Sequence, residues 1–433
     1  MQLTIHRGAR EIGGSCVEIH AGFSRIVVDI GIPLFEADGE PFDATVLEGK
    51  STEELLQQKI LPVIPGLFAP GPAPDAILLS HAHLDHTGFL NRTHPEIPVY
   101  ATQGTSKMMH ASAIFARGVD LPRERYRELV PGQELSIGSF RVTAFPVDHS
   151  VFGSVALLIE ADGKAVLYSG DLRLHGRKKG MAKRLWNALQ TKTVDVLLME
   201  GTHVGEGQSK GMDEYDLEKE IVRQIKPATG LVLASFSPQH IDRLVAFIRT
   251  AKQTGRVFVA DVYTAYVMHL INLETIPRPR REDGIRVFYP NWLMASLKKR
   301  RLDKILDMFL PNQITMDEIL QAQDRHLMLF RPSMIESDFG GRIPDGAKCF
   351  FSRWEGYLEQ RDWVAARANI EAADGDLILI HTSGHIFAHD LGKFIRKVSP
   401  RLLVPIHTSQ PEAFQRVFDP VRVLSDGEPL EVT

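Results

Sequence analysis

The sequence predicts an α/β protein in which one layered domain is interrupted by a second and then completed. Three observations carry this reading. The N-terminal half is a series of short apolar or alternating runs broken by Gly, Pro and Asp, the pattern of strands and turns. From Met212 the rhythm changes to helix, strand, helix, strand, which implies a parallel sheet with crossover helices. After residue 376 short β runs return.

Taken in order, the first strands are "QLTIH", "SCVEIH", "RIVVDIG", "AILLSH", "PVYAT", "RVTAFPVDHS", "VALLIEA" and "AVLYSGD". Helical periodicity interrupts them at residues 51–60 and 104–117. Next, "DEYDLEKEIVRQIK" reads as a helix, "GLVLASF" as a strand, "PQHIDRLVAFIRTAKQTG" as a helix and "RVFVAD" as a strand. Residues 275–345 are more polar and Pro-rich, with one helix expected over "WLMASLKKRRLDKILDMF". The returning β runs are "DLILIHTSGH" and "RLLVPIHTS", separated by the helix-like "AHDLGKFIRKV". There is no internal repeat and no low-complexity segment.

Composition bounds the function. A chain of 433 residues exceeds one ordinary core, and 44% hydrophobic with 24% charged residues is the balance of a soluble globular protein. No apolar stretch reaches the roughly 18 residues of a membrane span. The start, "MQLTIHRGAREIGG", lacks the basic and apolar regions of a secretion signal, so a cytoplasmic location is expected. Cys16 and Cys349 are too few for a disulfide framework or a thiolate zinc site. A net charge of -4 excludes a coat of positive charge; a nucleic acid would be held by local patches and by metal.

The 17 histidines matter for where they fall. "RIVVD" ends at Asp29, and "AILLSHAHLDH" ends in His81, His83, Asp85 and His86. "RVTAFPVDH" ends at His149, "AVLYSGD" at Asp171 and "VDVLLME" at Glu200. "LILIHTSGH" ends at His381 and His385, and "RLLVPIH" at His407. Strand ends converging on one edge of a sheet are where α/β folds build sites. A lone histidine is more often a satisfied core residue, but that reading does not cover seven such endings. Imidazole and carboxylate donors without thiolate suit Zn²⁺, with Mn²⁺ and Fe²⁺ also compatible. His81 and His83 can face one ion while Asp85 and His86 turn to a second. Two ions ~3.5–4 Å apart suit displacement at phosphorus.

These residues resemble the metallo-β-lactamase superfamily and, within it, the β-CASP nucleases. The "HAHLDH" cluster carries the wider likeness. Glu200 in "LLMEGTH", His385 in "HTSGH" and His407 in "PIHTS" are similar to the β-CASP motifs A, B and C. "FSPQHIDRLVAFIRTAKQTGR" followed by "DVYTAYV" is similar to the β-CASP insert. The resemblance implies a metallo-β-lactamase αββα sandwich from residues 1–204 and 376–433, with a β-CASP α/β domain inserted over 205–375. It implies two zinc ions, one on His81, His83 and His149, the other on Asp85, His86 and His407, bridged by Asp171. Asp29 would support the site without ligating. Asp85, His385 and Glu200 are the catalytic candidates, with His385 oriented by Glu200. A histidine–carboxylate pair is also, independently, how a general acid is held in one tautomer and kept protonated. His381, Ser383 and Gly384 are candidates for binding phosphate.

The implied activity is metal-dependent hydrolysis of single-stranded RNA. RNA-acting members of the family resemble this chain in having a histidine at the position of His407. Alternatives from the same residues are a β-CASP DNA nuclease, a hydrolase of small esters or thioesters, and a catalytically dead interaction subunit. Two departures from ribonuclease J stand out. Only 26 residues follow His407 in the 433, which weakens the expectation of a J-type homodimer. And "IFAHD" follows "HTSGH" where small residues usually seat a 5′ phosphate. If Ile386 and Phe387 face the opening they fill that seat, which favours endonucleolytic over 5′-exonucleolytic cleavage. Basic clusters at 173–184, 278–281 and 298–301 could contact phosphates, although the last sits on a probable helix where a solvated face is the better reading.

Overall fold

The computed structural model describes residues 1–36, 39–205, 211–280 and 282–433. The chain divides into two compact units. The first holds Met1–Leu174, Lys178–Lys210 and Gly384–Thr433; the second holds His175–Arg177 and Gly211–Ser383.

The first unit is built on two sheets. One contains β1 (Gln2–Arg7), β2 (Cys16–Ala21), β3 (Ser24–Val28), β4 (Ala76–Leu78), β5 (Val99–Ala101) and β6 (Tyr126–Glu128) in that order, with the last strand of the chain, Pro429–Glu431, beside β1. The other contains β7 (Glu134–Ile137), β8 (Phe140–Pro146), β9 (Val155–Ala161), β10 (Lys164–Tyr168) and β11 (Val196–Glu200), closed by Leu402–Ile406 paired parallel to β11. Alternate residues of both sheets, among them Ile5, Val17, Val28, Leu78, Val142, Leu157 and Val166, interlock in one core. The opposite face of the second sheet is covered by the helices Gly180–Leu189 and Ala388–Val398, which supply Leu185, Leu391 and Phe394. The first sheet is followed by the helix Gln103–Phe115, capped by Thr102 and burying Met108 and Met109. This is the expected αββα sandwich.

In the second unit a six-stranded sheet is parallel throughout. Its strands are β12 (Val232–Ser235), β13 (Val257–Asp261), β14 (Ile285–Phe288), β15 (His326–Leu329), β16 (Lys348–Phe351) and β17 (Asp376–Leu379), in the order β14-β13-β15-β12-β16-β17. Helices Glu214–Ile225 and Ile241–Gln253 alternate with the first strands, as their periodicity predicts.

Two expectations change. The run at 376, expected to reopen the sandwich, instead pairs parallel with β16, so the return to the first unit comes at Gly384. A short apolar run says that a strand forms, not which sheet receives it. The helix expected over "WLMASLKKRRLDKILDMF" is broken into Asn291–Lys299 and Asp303–Met308, because Arg301 turns left-handed at φ 55°. Among the described residues no helix is long and apolar enough to cross a membrane.

Candidate metal centre

Six strand ends of the first unit deliver the polar side chains. β3 stops at Val28 because Asp29 turns left-handed, φ 56°, a conformation that is strained for a residue with a side chain. Its carboxylate, fully buried, accepts hydrogen bonds from Ser80 N (2.8 Å), Ser80 Oγ (2.7 Å), His86 Nδ1 (2.7 Å) and Tyr168 OH (2.8 Å). The chain then runs along the turn Leu84–Thr87, with Ile30 N donating to His86 O at 2.8 Å and Ile32 N to Leu84 O at 3.0 Å. Gly31 lies between them. A Cβ there would sit 1.6 Å from the Asp85 carbonyl oxygen, so only glycine fits. Just past β4 come His81 and His83; past β8, His149; past β10, Asp171. Glu200 is the last residue of β11, and His407 follows Ile406 at φ 53°.

His81, His83, His149 and Asp171 each offer a donor atom, all within 4.8 Å of one another; so do Asp85, His86, Asp171 and His407. Asp171 belongs to both groups. In the first, Nε2 of His81 and Nε2 of His149 each lie 3.1 Å from His83 Nδ1. In the second, His407 Nε2 is 3.2 Å from Asp85 Oδ2, and His86 Nε2 is 3.2 Å from Asp171 Oδ2.

The outward-facing nitrogens set the tautomers. His149 Nδ1 donates to Gly384 O at 2.6 Å and His86 Nδ1 donates to Asp29. His81 Nδ1 lies 3.0 Å from Ser80 Oγ, whose own proton goes to Asp29, and His407 Nδ1 lies 3.1 Å from Thr202 Oγ1. Each of these rings is thereby directed to present an unprotonated Nε2 to the centre, the arrangement that orients metal ligands. Lone pairs facing each other at 3.1 Å repel unless a cation lies among them. Both oxygens of Asp171 and Nε2 of His86 are buried without a hydrogen-bond partner. The donor set therefore fits divalent metal.

Electrostatics agree. Burial, followed by neighbouring imidazoles, holds His81 and His149 well below the usual histidine range, so both stay neutral. Burial works against the charge of Asp171, yet His407 and His86 outweigh it and keep the carboxylate ionised. Burial likewise opposes a charged His86, but Asp171, Asp29 and Asp85 push it upward: without a cation the centre draws in a proton.

Beside this centre, Glu200 Oε1 accepts from Ile386 N at 3.1 Å and Oε2 from Thr202 N at 3.0 Å. His385 Nδ1 lies 3.5 Å from Glu200 Oε1 and 3.1 Å from Thr202 Oγ1, and the side chain is 21% exposed. Burial disfavours its charge, but Glu200 and Asp171 prevail and push its pKa up to about 9. Gly384 permits this approach, since a Cβ would meet Ser150 Oγ at 2.9 Å and His149 Cε1 at 3.0 Å.

The remaining candidates separate. Ile386 and Phe387 are buried, Ile386 against Leu172, Leu391 and Phe394, so they do not fill the opening and the steric case against a seated 5′ phosphate fails. Their apolar character already allowed this orientation. His381 and Ser383 stand in the second unit, outside both donor groups. His381 Nδ1 is 3.4 Å from Arg243 Nη1, and Ser383 O accepts from His175 Nε2 at 2.8 Å. In the cluster at 173–184, Arg173 pairs with Asp148 at 2.9 Å and Arg177 with Glu218 at 2.6 Å; Lys178, Lys179, Lys183 and Arg184 are exposed. Lys298, Lys299, Arg300 and Arg301 are exposed, and Arg281 lies outside the described residues. Thr202, Ser80 and Tyr168 were not legible as site residues; the signal for Thr202 was its place two residues beyond the Glu200 strand end.

A description of the β-lactamase superfamily domain matches residues 42–230. Over that stretch, less than half of its length, the chain is similar to this superfamily. The relatives it resembles along most of its length include ribonucleases J. Ribonuclease J of Mycolicibacterium smegmatis is 22% identical over 94% of this chain and 68% of that protein. Ribonuclease J of Pyrococcus abyssi is 25% identical over 92% of this chain and 88% of that protein. A crystal structure of a protein of unknown function from Enterococcus faecalis V583 superposes with a TM-score of 0.80 at 22% identity, covering 99% of each chain, and so shares the fold. The superfamily match ends before His385 and His407, which join the centre through the returning segment alone.

Proposed function

We propose that this chain is a two-zinc phosphodiesterase that hydrolyses single-stranded RNA. The observation that carries the reading is the pair of four-donor groups sharing Asp171, with the Glu200–His385 pair beside them. His81, His83 and His149 would hold one ion, Asp85, His86 and His407 the other, and Asp171 both. When bound, such ions supply Lewis-acid stabilisation of phosphoryl charge and an acidified water. Asp29 fixes the tautomers of His86 and, through Ser80, of His81. Glu200, held by backbone N–H groups, keeps His385 oriented and charged, so that the ring can give a proton to the leaving oxygen. Ribonuclease J relatives and the histidine at 407 support RNA as the substrate.

The test is incubation of purified protein with end-labelled RNA and DNA, single- and double-stranded, followed by product mapping. Cleavage of single-stranded RNA, abolished by chelator, is expected. Efficient cleavage of DNA with RNA left intact would reverse the substrate assignment, and hydrolysis of small thioesters alone would replace the nuclease reading. Circular RNA sets the mode: nicking of the circle means internal cleavage, whereas resistance beside degradation of 5′-monophosphate linear RNA means threading from the end.

A further inference from the structure

The parallel sheet of the second unit has a carboxyl edge of its own. The helices after β12 and β13, Ile241–Gln253 and Val262–Ile271, pack on one face through Leu244, Phe247 and Met268. Those after β15 and β16, Met334–Ser337 and Arg361–Ala372, pack on the other through Met334, Trp363 and Ile370. Because β12 lies between β15 and β16, the chain leaves neighbouring strands towards opposite faces. That reversal opens the kind of crevice in which α/β sheets bind ligands.

Two guanidinium groups bracket this point. Arg331, two residues past β15, is anchored: its Nε and Nη2 donate to Asp261 Oδ2 at 3.0 and 2.6 Å, and its Cζ lies 5.8 Å from the Tyr263 ring centre. The other oxygen of Asp261 accepts from Thr264 N at 2.7 Å, capping the next helix. Arg353, two residues past β16, donates only from Nη2, to Phe236 O at 3.2 Å at the end of β12. Its Nε is buried without an acceptor, and among the described residues it forms no ion pair. Burial and the charge of Arg331 push its pKa down to about 10. Asp261 and Asp362 favour its charge from a distance, but a partly buried cation with no carboxylate in direct contact is unfavourable unless something anionic arrives. Next to it in the chain, Trp354 is 54% exposed, and its ring meets that of Tyr357 edge-on at 5.6 Å.

We propose that Arg331 and Arg353 hold the phosphate of one nucleotide unit at the carboxyl end of β12, with Trp354 as the stacking surface for its base. Guanidinium forks match phosphate oxygens, and an aromatic platform beside a cation is how single strands are gripped without sequence preference. A free nucleotide offers the same chemistry; the assignment to a strand rests on the RNA reading above.

The experiment uses the full-length, metal-loaded protein, with His385→Ala added to prevent cleavage. Binding of a fluorescent single-stranded RNA decamer, of adenosine monophosphate and of inorganic phosphate is measured for the parent, Arg353→Gln and Trp354→Ala. Arg353→Gln should weaken the decamer roughly 10-fold and make its salt dependence shallower by roughly 0.7 in log–log slope. Melting temperature and metal content should stay as in the parent. Trp354→Ala should weaken the decamer while leaving inorganic phosphate unaffected. Decamer and mononucleotide affinities both unchanged by Arg353→Gln overturn the site. Binding of adenosine monophosphate that depends on Arg353, in a protein with no affinity for the decamer, keeps the phosphate site and defeats the RNA reading instead.

Discussion

His385 and Glu200 illustrate how much one carboxylate can ask of one ring. Glu200 spends its own hydrogen-bonding capacity on backbone N–H groups and faces His385 Nδ1 at 3.5 Å, so in the proposed mechanism its part is to orient the ring. His385→Ala should therefore lose roughly 10²–10⁴-fold in kcat on RNA with metal content unchanged. Glu200→Gln should move in the same direction by less. Equal turnover of His385→Ala and wild type at saturating substrate would remove the ring from the mechanism. Asp29 acts one step further out. Asp29→Asn cannot accept both the Ser80 and the His86 protons as a carboxylate does, and is expected to weaken metal binding by about 10–100-fold, read by competition with a chromophoric chelator.

At the scale of elements, the site depends on where strands stop. The loop after β3 and the turn Leu84–Thr87 share hydrogen bonds through Gly31, where a methyl group would overlap the Asp85 carbonyl. Gly31→Ala should displace Asp85 and His86, lowering both melting temperature and metal content, whereas a wild-type melting curve and two bound ions would refute that packing. Strand ends were legible in the sequence because a buried apolar run that closes on His, Asp or Glu is conspicuous. Partners fixed by long-range contact were not: nothing in "DLIL" reveals that β17 joins β16, and nothing in "KKRRL" reveals the left-handed Arg301. His381 gives this scale a pH signature. Burial, then Arg243, press its pKa to about 3, below the ordinary 6.5. The unfolded chain therefore binds the extra proton first, and His381 adds stability above about pH 6.5 that is lost as pH falls from 6.5 towards 3. His381→Asn should flatten the melting temperature against pH between 6.5 and 4 relative to wild type, and parallel curves would contradict it.

For the whole molecule, metal and stability are linked. Seven donors gathered around buried lone pairs leave the first unit incomplete without cations, so chelation should lower its melting temperature. An ion at about 1,000 times its dissociation constant contributes ~4 kcal/mol per site. The fold class was readable from the change in strand and helix rhythm at Met212, and the donor set from its strand ends. The tautomer-setting contacts of Ser80, Thr202 and Tyr168 emerged only from the folded chain, since hydroxyls at such positions are too common to single out.

The shared carboxylate of Asp171 is the centre of this reading, and metal content per chain tests it most directly. Elemental analysis of the full-length protein, equilibrated with zinc and freed of excess, should find two ions per chain, and Asp171→Ala should retain at most one. A folded wild-type protein holding one ion or none, or an Asp171→Ala variant still holding two, would contradict it.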